Sequence, residues 1–166
     1  MKESVMCEKQ RILKTLSDLY DGSPWTDLSI LGVVGDLTAE QASAKPIAQM
    51  HSVWEYLNHI IYWRMMLARI MSGQAGRQEG DVADFEQIGD TSEAAWRETL
   101  SRLERCQETF MGVVSKVCDG KLDALDQSFR ATYYELIQGT VQHDAYHLGQ
   151  AMIVKKIVAS AGRIIV

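Results

Sequence analysis

Four stretches of helical periodicity, most of them bracketed by capping residues and glycines, constrain what this 166-residue chain can fold into. The first runs from about Glu3 to Leu19, with Val5, Ile12, Leu13, Leu16 and Leu19 mostly on one face. The second runs from about Val53 to Met71. Ser52 followed by Glu55 is a capping box, and Gly73 suits its stop. The third covers about Glu93 to Val117, behind the capping candidates Asp90, Thr91 and Ser92, and is expected to end at Gly120. The fourth covers about Tyr133 to Ala159, with Thr132 and Glu135 as a further capping box and Gly162 as its close. No run of strand alternation competes. The spacing predicts an all-α four-helix bundle in a single domain spanning 1–166.

The connections refine this. Residues 22–50 make a long link with room for short helices. Ser23-Pro24 reads as a cap with proline at the first helical position, and Thr38 with Gln41 as a second short turn. Residues 73–90, rich in Gly, Asp and Gln, are numerous enough to travel the length of a bundle. A long crossover connection would let the second and third helices run parallel.

Composition excludes several classes. Apolar residues make up 46 % of the chain and prolines number two, which favours a packed globule. A net charge of −5 without basic clusters argues against a nucleic-acid partner. The longest apolar stretch, about Ile60 to Ile70, is interrupted by Arg64 and Arg69 and is too short and charged to span a membrane. MKESVMCEKQRILK has no long apolar core, so it is not a secretory signal. Cys7, Cys106 and Cys118, odd in number and widely spaced, read as free thiols in a reducing cytoplasm. No phosphate loop and no GxSxG occurs.

The chain has four histidines, and two of them, His143 and His147, stand four apart in the last helix. Residues i and i+4 share a helical face, so two imidazoles at that spacing can converge on one ion. Leu136, Thr140, Gln150 and Val154 extend the same face, which puts the pair in the middle of a core stripe. A core histidine needs partners for its ring nitrogens, and a metal supplies one per ring. His59 lies on a face of the second helix with Ser52, Glu55, Trp63 and Met66, and offers a third ligand. Three histidines from two facing helices make an open site that suits zinc, nickel or another divalent ion accepting imidazole. The bland alternative is a set of core histidines with ordinary hydrogen bonds. His51 lies just outside the capping box and reads as a loop residue, not a ligand.

Other residues near this constellation carry two readings. Glu55 is favoured as a cap on Ser52. One turn before His59, it could instead accept a hydrogen bond from a ligand or serve as general base. Gln150 could orient a reactant. Trp54, Trp63 and Trp96 read as core filler, and Met65, Met66 and Met71 as packing. Gly139 and Gly149 weaken the last helix and would permit close approach of a neighbouring helix or of a ligand.

Two stretches resemble the DinB / YfiT-like superfamily: HSVWEYLNHIIYW at 51–63, and TYYELIQGTVQHDAYHLGQ at 132–150, with HDAYHLGQ at its centre. WTDL at Trp25 and LTAEQA at Leu37 are also similar to it, whereas the third helix carries little of the likeness. The resemblance implies a bundle of up-down-down-up order, often a homodimer. It also implies a divalent metal, commonly zinc or nickel, held by one histidine of the second helix and the HxxxH pair of the fourth, here His59, His143 and His147. Some relatives of this kind are thiol S-transferases acting with bacillithiol or a similar low-molecular-weight thiol. Others are described as metal-dependent hydrolases, and many have no known activity.

Two functions follow as expectations. One is a metal-dependent enzyme of the thiol S-transferase or hydrolase kind, with Glu55 or Gln150 assisting. The other is a non-catalytic metal-binding bundle acting in dimerisation or in a stress-associated interaction. An ion open to a cleft would favour the first, and a fully enclosed ion the second.

Overall fold

The computed structural model describes residues 6–74 and 84–161. Seven helices occur among them: α1 (Glu8–Tyr20), α2 (Ile30–Val34), α3 (Ala39–Ser43), α4 (Val53–Met71), α5 (Glu93–Lys116), α6 (Asp119–Leu122) and α7 (Tyr133–Ala161). A two-stranded antiparallel ribbon, β1 (Leu125–Asp126) with β2 (Ala131–Thr132), sits before α7. The helices begin where side chains can satisfy their first N–H groups. Ser52 Oγ accepts from Glu55 N at 3.2 Å while Ser52 N donates to the Glu55 carboxylate at 2.8 Å. The reciprocal pair Thr38 and Gln41 starts α3, and Ser92 caps α5. Thr132 N donates to Glu135 Oε2 at 2.7 Å at the start of α7.

Three expectations need correction, and a fourth lies outside the described residues. Residues 3–5 lie outside the described residues, and Met6 and Cys7 precede the helix, because Gln10 Oε1 takes the Cys7 N–H at 3.0 Å and starts α1 at Glu8. Ser23-Pro24 opens a turn and no helix. Asp27 N donates to Pro24 O at 2.9 Å, and Asp27 adopts φ 57°, a left-handed geometry that aspartate tolerates better than most residues. Gly120 does not end α5. That helix stops at Lys116, where Val117 turns extended and tucks its side chain into the core, and Gly120 falls inside α6. Gly162 lies outside the described residues, and α7 runs to Ala161.

Two apolar layers show how the long helices run. One joins Leu19 of α1, Trp54 and Leu57 of α4, Trp96 and Leu103 of α5, and Leu148 and Val154 of α7, with α2 and α3 packed on it. The other joins Ile12 and Leu16, Leu67 and Ile70, Phe110 and Val114, and Leu136 and Ile137. Along α1 and α7 the chain passes from the second layer to the first; along α4 and α5 it passes from the first to the second. The order is therefore up-down-down-up. Cross-helix bonds agree: Trp54 Nε1 donates to Thr99 Oγ1 at 2.9 Å and Cys106 Sγ lies 3.7 Å from Ile61 O, so residue numbers rise together along α4 and α5. Parallel neighbours put Ser72, at the end of α4, and Ser92, before α5, at opposite ends of the bundle.

Residues 52–61 are all buried, because α3, α5 and α7 wrap the N-terminal half of α4. A helix covered all round must be apolar all round. Polar side chains there, Glu55, Asn58 and His59, each need a reason. Further along α4, Arg64 meets Gln107 and Asp144, forming a buried polar stratum between the two layers.

Candidate metal centre

α4 and α7 run antiparallel, which brings His59 against the one-turn pair His143 and His147. His59 Nε2 lies 2.8 Å from His143 Nε2 and 3.0 Å from His147 Nε2. His59 and His147 are buried and His143 is partly open, its side chain 27 % exposed. The three ligand atoms lie within 4.8 Å of one another and could hold a metal ion.

The other ring nitrogens decide the fit. Each Nδ1 has an oxygen acceptor: Asp84 Oδ1 for His59, Asp144 Oδ1 at 3.0 Å for His143, and Gln150 Oε1 at 2.7 Å for His147. An acceptor at Nδ1 places the proton there and leaves a lone pair on Nε2. Three such lone pairs converge with no hydrogen to share, an arrangement that repels itself unless a cation sits between. Two imidazoles on tetrahedral zinc stand about 3.3 Å apart, close to the spacing found. The donor set therefore fits a divalent ion such as zinc or nickel.

Burial favours the neutral form of His59 and His147. It pushes the His59 pKa down to about 4, opposed by the Asp84 carboxylate. It also lowers that of His147, and the neighbouring His143 lowers it further. Neutral imidazole is the ligating form.

Four supporting side chains, Asp144, Arg64, Asp84 and Phe85, had no clear signal in the sequence. Asp144 is fully buried, and its Oδ2 accepts from Arg64 Nε at 2.6 Å; Arg64, also fully buried, donates through Nη1 to Gln107 Oε1. Asp144 thus bridges His143 to a buried guanidinium. A carboxylate directly after His143 in HDAYH was the available hint. Asp84 and Phe85 come from the crossover, where no periodicity points inward. Phe85 stacks between His59 at 3.9 Å and His51 at 4.0 Å, with φ 54°. A phenylalanine in left-handed backbone is uncommon and is held by its contacts.

Glu55 caps α4 and pairs with Lys45 Nζ at 2.7 Å, which with the Ser52 N–H holds its carboxylate below the usual range against the opposing effect of burial. Gln150 bonds His147. His51 stays outside the triad, its side chain 41 % exposed. Trp54 and Trp96 are core, with Trp96 Nε1 donating to Leu37 O at 2.9 Å. Trp63 packs partly buried against the second layer and also lines a cleft of about 200 Å³ with Leu67, Phe129, Leu136, Gly139 and His143. At Gly139 and Gly149 a Cβ would meet nothing within 4 Å, so neither glycine serves close helix packing.

Fold and site together define a helical bundle with a tri-histidine centre. The sequence model of the DinB superfamily matches residues 28–151, and the chain belongs to that superfamily. Comparison with curated proteins and with solved structures gives no significant match. No helix among the described residues is long and apolar enough to cross a membrane.

Proposed function

We propose that this protein is a divalent-metal-dependent thiol S-transferase, joining a low-molecular-weight thiol to an electrophile. The observation that carries this reading is the cleft: His143, a candidate ligand, forms part of its wall and remains partly exposed. A purely structural ion would be closed in on every side. A divalent ion held by His59, His143 and His147 would act as a Lewis acid, favouring the ionised form of a thiol or water that it binds.

The chain's own residues do the positioning. Asp84, Asp144 and Gln150 fix the ring orientations and keep the protons on Nδ1. Arg64 holds Asp144 in place, and Phe85 covers the His59 ring. We assign Gln150 to orienting His147, and Glu55 to anchoring the first turn of α4. Hydrolysis is the weaker alternative. The one carboxylate lining the cleft belongs to Glu135, whose Oε2 already accepts from Thr132 N and Oγ1. That carboxylate is engaged at the start of α7, and a thiol, more acidic than water, ionises more readily on a bound ion.

A second copy of the chain is the proposed partner. Tyr146, Ile153 and Ile157 lie on one face of α7 and remain 64 %, 55 % and 36 % exposed. Light scattering on Ile153→Glu should show monomer where the native chain shows dimer. For the activity, zinc-loaded protein should accelerate the reaction of bacillithiol or cysteine with a chlorinated aromatic electrophile, and His143→Ala should abolish the gain. Equal rates with metal-free protein would overturn the reading.

A further inference from the structure

We propose that the cleft beside His143 seats an uncharged apolar group, about the size of one aromatic ring, carried by the molecule on which the metal centre acts. This rests on the enzymatic reading above and adds the substrate's chemistry to it. The cleft encloses about 200 Å³. Dry apolar cavities of roughly 150 Å³ accept benzene, so one ring or a short branched alkyl group fits and a fused polycycle does not.

The lining chooses the chemistry. Trp63 and Leu67 come from α4, Leu136 and Gly139 from α7, and Phe129 from the ribbon. Asp126 Oδ1 accepts from Ser128 N at 3.0 Å and Phe129 N at 3.1 Å, and this turn sets Phe129 at the cleft. Thr140 is the one hydroxyl there, and it donates to Leu136 O at 2.9 Å within its own helix. Apart from the Trp63 Nε1–H, which is buried without a partner among the described residues, nothing there would replace the water that an entering polar group gives up. A carboxylate would also approach the Glu135 side chain, of like charge. An apolar neutral group meets neither penalty and gains by leaving water. The cleft is therefore selective by what it lacks. Gly139 leaves the wall of the cleft without a side chain, and a Cβ there would meet no protein atom within 4 Å.

The test is nitrogen-resolved NMR on the zinc-loaded full chain, with benzyl alcohol as neutral probe and benzoate as its anionic counterpart. Benzyl alcohol should shift the Gly139 amide and the Trp63 Nε1–H signals saturably, and benzoate should bind about tenfold more weakly or not at all. Gly139→Leu should weaken benzyl alcohol about tenfold with unchanged zinc content. Should the leucine variant fail to fold, Gly139→Ala, which a helix accepts readily, should still weaken it measurably. Absence of saturable shifts, equal binding of benzoate, or glycine variants that bind like the native chain would each overturn the inference. Thiol turnover without benzyl alcohol binding would defeat this inference alone. Binding without any zinc-dependent turnover would defeat the enzymatic reading and leave the apolar seat without its substrate role.

Discussion

Removing Asp144 should damage the protein in two separable ways. Asp144 and Arg64 are both fully buried, with Asp144 Oδ2 2.6 Å from Arg64 Nε and Asp144 Oδ1 3.0 Å from His143 Nδ1. Asp144→Leu leaves a guanidinium buried without its anion, which costs about 3–5 kcal/mol. For a chain of this length that is a fall in Tm of roughly 6–20 °C. The double variant Arg64→Met, Asp144→Leu removes both charges and fills their space, so its stability should return to within about 1 kcal/mol of the native chain. Metal affinity should not return. His143 still lacks its acceptor, and loss of such a partner weakens binding about 10–100-fold. Thermal unfolding is to be followed on metal-free protein, so that ligand linkage does not enter; affinity is read by competition with a chelator. A single variant that loses less than about 1 kcal/mol would refute the claim that the guanidinium depends on Asp144. A double variant with native affinity would refute the role assigned to Asp144 at His143.

Three further outcomes follow. In metal-free protein, burial holds the folded His59 pKa near 4, below its value of 6.5 when free of the fold. The unfolded chain then binds more protons between these values, so stability falls as pH drops from about 6.5 to about 4, by on the order of 3 kcal/mol, and this component is flat below. His59→Gln should remove that component, and an unchanged pH slope would count against it. Cys7 and Cys118 are exposed while Cys106 is buried with its thiol pushed up to about 12. A disulfide reagent should therefore modify two thiols quickly and the third only on unfolding; fast reaction of all three would contradict the packing of Cys106 against α4. Phe110, fully buried between α1, α4 and α7, should cost about 3–5 kcal/mol when replaced by alanine, measured by urea unfolding.

Much of this fold was legible because helical periodicity and capping boxes are local signals. Ser52 with Glu55 and Thr132 with Glu135 place the starts of α4 and α7 correctly, and the i, i+4 spacing of His143 and His147 needs only helix geometry. The length of the 73–90 link was enough to expect parallel α4 and α5. What could not be read depends on contacts across the bundle. Asp84 and Phe85 reach His59 from an aperiodic crossover, and their position follows from how that segment packs. Arg64 looked like a charge interrupting an apolar run, whereas it is a buried counter-ion whose partner lies 80 residues away in sequence. Trp63 packs on the core as expected, but that it also lines a cleft depends on Phe129 and Gly139, far from it in sequence. The departures at Ser23-Pro24 and Gly120 have one cause: proline and glycine mark turns as well as helix ends, and the choice is made by neighbours such as Asp27 and the buried Val117.

The central claim is that His59, His143 and His147 form one metal centre. Elemental analysis tests it most directly, on untagged protein never exposed to a nickel column, alongside His59→Ala, His143→Ala and His147→Ala. The native chain should carry close to one divalent ion, and each variant should lose it while remaining helical. A native chain that takes up neither zinc nor nickel when supplied with them, or variants that retain the ion, would contradict the claim and leave three core histidines in a helical bundle.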